Sequence, residues 1–395
     1  MRSATAYIDL VAIRDNYRQV AKLAPNAKIL AVIKADGYGH GLERMVEALP
    51  LADAYGVASV EDAQRVRQLE QQLKRRPKRL VLLSGCNDGH DLSLSEALDL
   101  TVVLHEPNQL KLIRQTQLRR PLSAWIKLDT GMHRLGFPVD SLSALRSQLA
   151  ELPLRHDELV WMTHFAHADG ESALTELQMQ RFSDALRDCP GARSLANSAA
   201  VLRFPQSHAQ WVRPGGLLYG LSTIAGQTAA EHGFRPAMRV SSRLIAIKPV
   251  AAGETVGYAE SYRAERALNV GILSFGYGDG YPRHASNRGH VWLNGQLCPI
   301  VGRVSMDLMA IDISQCLNAA IGDEVVLWGC ELPAEHVAAA AETISYELTC
   351  GVTRRVRFET SRRAEPELEL EPEPQPGPQF ELESAPKLAR AALAD

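Results

Sequence analysis

No apolar run in this sequence approaches the length needed to cross a bilayer, so a membrane-embedded protein is not expected. Charge of neither sign dominates: 43 lysines and arginines stand against 46 acidic residues, a formal net charge of −3. With aromatics at only 6%, the body lacks the basic footprint of a nucleic-acid binder. Cysteine is sparse too. Cys86, Cys189, Cys298, Cys316, Cys330 and Cys350 show no short paired spacing, which argues against a zinc site or disulfide framework and fits reduced cytoplasmic thiols. No metal is expected. The opening residues, Met1 to Asp9, carry charge and polarity where a secretion signal needs an apolar segment.

What is present suggests two folded parts. At 395 residues the chain can bury two cores. Asp9 is placed to cap a helix over residues 11–23. Short apolar runs at 28–33, 54–60, 79–84, 100–104, 123–128, 160–165, 193–196 and 210–212 then alternate with amphipathic stretches such as 61–74, 108–118, 141–152 and 174–187. Eight such units predict an α/β fold, an N-terminal (β/α)8 TIM-like barrel over residues 1–234. An open doubly wound sheet is the alternative. The barrel is preferred because the chemically interesting residues follow strand ends, which converge on one mouth in a barrel. Farther on, strands succeed strands at 243–247, 268–274, 290–293, 300–304, 309–313 and 324–327, with a helix expected over 335–348. These predict an all-β domain over 235–360. Residues 361–395, acidic and proline-rich, cannot build a core and read as a disordered tail.

The stretch at 31–41, Ala-Val-Ile-Lys-Ala-Asp-Gly-Tyr-Gly-His-Gly, places Lys34 at the end of a buried strand. Desolvation lowers an amine's pKa and makes it a candidate Schiff-base nucleophile. Tyr38 and His40 add polar tips to the glycine-rich loop. Taken alone, Lys34 also reads as a surface lysine, His164 as a core histidine and Tyr258 as a packed tyrosine.

Several motifs in order remove that ambiguity. Residues 31–41, 127–136 (Lys-Leu-Asp-Thr-Gly-Met-His-Arg-Leu-Gly), 163–169, 196–200, 212–215 with Tyr219-Gly220, 256–258, 276–280, 301–307 and 345–347 resemble the alanine racemases, pyridoxal-phosphate enzymes of fold type III. The resemblance spans roughly residues 5–358. It implies a barrel followed by a β domain, and interconversion of L- and D-alanine by two bases on opposite faces of the substrate. D-Alanine would then feed peptidoglycan or its own breakdown. The same machinery leaves room for a broad-specificity or serine racemase, and more remotely for a decarboxylase-like barrel or a cofactor carrier.

The resemblance also implies roles. Lys34 holds pyridoxal 5′-phosphate and serves one face; Tyr258 serves the other. Arg134 and the Met306 backbone amide take the substrate carboxylate. The cofactor is contacted by Lys34, Tyr38, His164, Ser198, Arg213, Gly215, Gly216 and Tyr346, with a line Tyr258–His164–Arg213 lowering the phenol's basicity. Lys127 is a position often carbamylated in the family; an ordinary lysine paired with Asp129 is the alternative. Asp169, Tyr277, Arg283, Arg303 and Ile344 line a narrow entrance. Because Tyr258 and Met306 belong to the β domain, the family's architecture implies a homodimer with shared sites. The sequence departs from the common family pattern at Asp36-Gly37, Gly216 and Ala259.

Overall fold

The protein is described here by a computed structural model covering residues 4–361 apart from Thr223. The acidic tail expected over 361–395 lies, from 362 onward, outside the described residues.

The first strand, β1 (Thr5–Asp9), is followed directly by a helix, Leu10–Leu23, whose first turn is capped by the Asp9 carboxylate. Asp9 Oδ1 accepts from the Val11 and Ala12 amides at 2.9 and 3.1 Å, satisfying two donors that a helix start leaves open. Eight parallel strands come next: β2 (Lys28–Val32), β3 (Ala54–Val57), β4 (Arg79–Leu82), β5 (Leu100–Leu104), β6 (Ser123–Asp129), β7 (Val160–Met162), β8 (Ala192–Ser194) and β9 (Trp211–Val212). Each pairs with its successor, and β9 returns to β2 through Trp211 opposite Lys28, closing the ring. Strands covered by helices outside and side chains inside must be apolar on both faces, as β5, buried throughout, illustrates. Leu30, Val32, Val81, Val103, Trp125, Met162 and Trp211 fill the interior, so the barrel is a packed core with function left to its rim.

The second domain begins with the long strand β10 (Met238–Val250) and continues through β11 (Leu268–Leu273), β12 (His290–Leu293), β13 (Gln296–Pro299), β14 (Met309–Asp312), β15 (Glu324–Trp328) and β16 (Arg357–Ser361). Its sheet runs β13-β12-β15-β10-β1-β16, with β11 beside β10 and β14 beside β11. Thus β1 belongs to this sheet and not to the barrel. Thr5 to Ile8 pair antiparallel with β10 and Thr5 to Asp9 parallel with β16. A domain boundary drawn only at residue 234 therefore misplaces the first strand.

Two other expectations change. The strand expected at 300–304 is only a single bridge, Ile300 to Ile311, because Gly302 takes φ +81° and turns the chain away. The helix expected over 335–348 is two, Ala334–Ala340 and Ser345–Gly351, separated at Glu342, whose φ of +57° lies outside the right-handed region.

Candidate functional site

The barrel's strand ends bring the expected cluster together. A cavity of about 510 Å³ opens at that mouth, lined by Lys34, Tyr38, Lys127, Arg134, His164, Asp169, Ser198, Arg213, Gly215 and Gly216 from the barrel. Ile344 and Tyr346 reach it from the second domain. Its volume falls within the range of small-molecule sites, and four of the lining side chains are cations. A ligand with more than one negative charge is what such a lining suits.

Lys34 follows β2 and opens an unusual segment. Ala35, Asp36, Gly37, Tyr38 and Gly39 all have positive φ, from 51° to 79°. This is a left-handed turn built largely of L-residues, each disfavoured by on the order of 1–2 kcal/mol. Asp36, standing where the family commonly has asparagine, anchors it: its Oδ1 accepts from the Leu42 amide and from Arg65. Gly39 is obligatory, since a Cβ there would collide with the Thr349 carbonyl of the second domain. Burial lowers the Lys34 pKa, and the nearby charge of Arg134 lowers it further against a smaller opposing influence from Cys350.

His40, expected as a polar tip, is instead fully buried beneath the turn. Its ring lies 4.6 Å from Tyr219, which stacks on Tyr38 at 4.8 Å. Tyr38 in turn meets Tyr346 edge-on at 5.3 Å. Tyr219 was given no role by the sequence; its position just past β9, beside the Arg213-Pro-Gly-Gly turn, is the signal that places it here. Its hydroxyl donates to the Val32 carbonyl at 3.0 Å.

At the ends of β8 and β9, Ser198 Oγ accepts from the Gly215 amide at 2.9 Å and the Leu217 amide at 3.4 Å. A Cβ on Gly215 would run into the Tyr38 hydroxyl, and one on Gly216 into the Tyr346 ring. The hydroxyls of Ser198, Tyr38 and Tyr346 and the amides of this glycine turn thus crowd one small volume, the kind of donor set a phosphate needs. Together with the Lys34 amine in the same cavity, these residues fit pyridoxal 5′-phosphate. They also explain Gly216, where the family commonly carries a larger aliphatic.

Arg213 is buried and multiply held: it donates to Ser194 Oγ and to the carbonyls of Thr163 and Leu195. Burial pushes its pKa down to about 10, still well above neutrality, so the guanidinium remains charged. It also faces His164 Nδ1 at 3.3 Å. A guanidinium can only donate, so Nδ1 accepts and the imidazole proton sits on Nε2. Burial, then the charges of Arg213, Lys127, Arg134 and Lys34, hold the His164 pKa well below its usual value.

Lys127, near the end of β6, is pushed down to about 8 by burial, with Arg213 and Arg134 adding to the effect. The pairing with Asp129 considered from sequence does not form. That carboxylate accepts instead from the amides of Gly131, Met132 and His133 and pairs with the His133 ring. Arg134 lies on the same loop, exposed, with no hydrogen bond or ion pair among the described residues.

Tyr258 and Met306 are not brought into this cavity. They stand on the second domain's surface, 68% and 52% exposed. Tyr277, Arg283 and Arg303 are exposed as well and do not line it. The Met306 loop is nevertheless rigidly mounted: Tyr277 and Gly278 donate to the carbonyls of Ser305 and Met306, and Arg355 bridges Asp279 and Asp307. Ala259, after Tyr258, takes φ +57°, where the family's usual glycine would be unstrained.

Comparison with known proteins decides the lineage. Residues 8–223 match the family profile "Alanine racemase, N-terminal domain" and residues 237–360 "Alanine racemase, C-terminal domain". The chain belongs to the alanine racemase family. The alanine racemase of Nitrosococcus oceani is 44% identical over 90% of this chain and 99% of its own length, and that of Shewanella sediminis 42% over 89% and 97%. The crystal structure of the biosynthetic alanine racemase from Pseudomonas aeruginosa superposes with a TM-score of 0.88 at 42% identity, covering 92% of this chain and all of that one. An alanine racemase from Bartonella henselae with covalently bound pyridoxal phosphate superposes at 0.81 and 26% identity, over 91% of this chain and all of that one. Family membership agrees with the barrel and β domain traced above, and with a site fitted to that cofactor. Among the described residues no helix is long and apolar enough to cross a membrane.

Proposed function

We propose that the chain interconverts L- and D-alanine in the cytoplasm as a homodimer, using Lys34 and Tyr258 as acid/bases on opposite faces of the substrate. One observation carries this reading. The cation-lined cavity holds the Lys34 amine, of reduced basicity, together with a phosphate cradle, while the matching phenol stands exposed on another domain of the same chain. A second copy presenting Tyr258 and Met306 to this mouth completes the site, and two-fold symmetry completes both.

When bound, pyridoxal phosphate supplies the electron sink that acidifies the substrate's Cα–H. The protein's own residues do the rest. Arg134 and the Met306 amide of a second copy fix the carboxylate, which orients the Cα hydrogen. Lys34, neutral more readily than an ordinary lysine, takes or returns the proton on its face. On the other face the Tyr258 hydroxyl does the same. A phenol with an ordinary pKa near ~10 is a poor base at neutral pH. The His164 Nε2–H, backed by the Arg213 charge, stabilises its ionised form. Arg213 gives up no proton, which leaves the site with only the two intended proton carriers. Asp169 and Ile344, joined by Tyr277, Arg283 and Arg303 of the second copy, restrict entry to small substrates.

Incubating L-alanine with the enzyme in deuterium oxide tests this: D-alanine should accumulate carrying deuterium at Cα. A clear preference for serine or a basic amino acid over alanine in the same assay would overturn the substrate assignment.

Lys127 adds a dependence on carbon dioxide. With a pKa of about 8 its amine is partly neutral at physiological pH, and a neutral amine adds carbon dioxide to give a carbamate and a proton. That exchanges a cation repelling Arg134 for an anion that orients it. Degassed, bicarbonate-free enzyme should lose several-fold in kcat/KM, recover on adding bicarbonate, and show the added carboxyl mass on the Lys127 peptide. An unmodified peptide together with bicarbonate-independent activity contradicts it.

A further inference from the structure

The left-handed turn at residues 35–39 joins the two chemical ends of the site, with the amine of Lys34 before it and the hydroxyl of Tyr38 within it. Ala35, Asp36 and Tyr38 are not glycines, so this backbone persists only where its surroundings over-determine it. Inside the core, one side chain does so. His40 Nδ1 lies 3.0 Å from the Gly37 carbonyl and 2.9 Å from the Tyr38 carbonyl. Two acceptors require that Nδ1 carry the proton and donate to both. Nε2 is left buried with no hydrogen-bond partner among the described residues. An unsatisfied buried acceptor opposes folding, and a leucine of similar size would avoid it. The imidazole is therefore retained for what Nδ1 does. On its open side the ring packs against Tyr219, which is itself fixed to the Val32 carbonyl and stacked on Tyr38.

We propose that His40, backed by Tyr219, is a positioning residue: by donating from Nδ1 to the Gly37 and Tyr38 carbonyls it fixes the left-handed turn, and so holds the Lys34 amine and the Tyr38 hydroxyl at the spacing that the cofactor's aldehyde and phosphate require. The proposal rests on the reading of Lys34 and Tyr38 given above. It separates two substitutions of similar polarity. An asparagine amide reaches the place of Nδ1, a glutamine amide the place of Nε2.

The full-length His40→Asn and His40→Gln proteins are stripped of cofactor and titrated with pyridoxal phosphate by absorbance. In parallel, borohydride reduction traps the modified lysine for peptide mass analysis, and thermal midpoints are recorded. His40→Asn should bind within about threefold of wild type and trap Lys34, whereas His40→Gln should bind at least about tenfold more weakly and trap Lys34 slowly, at similar midpoints. Equal affinities and equal trapping rates in the two variants overturn the proposal, whatever their midpoints. Tyr219→Phe keeps the stacked ring and frees the Val32 carbonyl, which guards against misfolding of the histidine variants. Weaker cofactor binding by this variant supports the clamp and unchanged binding refutes it. Wild-type protein that traps the cofactor at another lysine would overturn the Lys34 assignment itself, a distinct result.

Discussion

Lys34→Ala should lower racemisation by at least about 10⁴-fold, abolish the visible absorbance of the bound cofactor, and leave the apoprotein folded. The first two follow from removing both the covalent attachment and one of two proton carriers. The third follows from linkage. Burial depresses the Lys34 pKa below its unfolded value, so between those two values the unfolded chain binds more protons and stability rises with pH. At neutral pH the protonated amine therefore opposes folding, and alanine should leave the melting temperature of the apoprotein unchanged or raised. Retention of more than about a hundredth of the activity would remove Lys34 from the mechanism. A variant that fails to fold would mean that the amine is structural, contrary to the sign of its shift.

Mixing inactive Lys34→Ala and Tyr258→Phe chains should restore activity to about a quarter of the wild-type level after unfolding and random reassociation. Half the dimers are then mixed. Each has one site with both defects and one site with neither, because the intact Lys34 of one chain faces the intact Tyr258 of the other. The exposure of Tyr258, 68% in the single chain, and its absence from the cavity lining make this the natural expectation. Were each site built within one chain, no mixed dimer would contain a whole one. Absence of recovery with heterodimers demonstrated by mass would count against the shared site.

The barrel was legible because its strands are buried on both sides. Continuous apolar runs such as Leu100–Leu104 leave little else for the sequence to be, and the reactive residues fall where those runs stop. Strands at the margins of the second sheet were harder to read. In Gln296–Pro299 only Cys298 is buried, and Arg357–Ser361 is partly exposed throughout. Thr5–Asp9 was hidden for another reason: its partners lie more than 200 residues away, and no local pattern reports them. At the site, chemistry was readable and conformation was not. Lysine, arginine and tyrosine announced themselves, yet nothing in Ala35-Asp36 betrays a left-handed turn. A histidine between glycines looks solvated until tertiary packing closes over it. The departures at Asp36, Gly37 and Ala259 share one feature seen only in three dimensions, positive φ. At two of these positions the chain keeps a side chain where backbone geometry favours none.

The pairing of β1 with β16 sets the first and last described strands side by side, Thr5 abutting Arg357. During synthesis the opening strand must wait until the whole barrel has been made before it finds its first neighbour, β10, and longer still for β16, so the barrel strands are complete while the leading segment is unpaired. The same adjacency makes these two strands natural points to join. A permuted gene that links them and opens a surface loop of the barrel should give a protein whose first strand no longer waits.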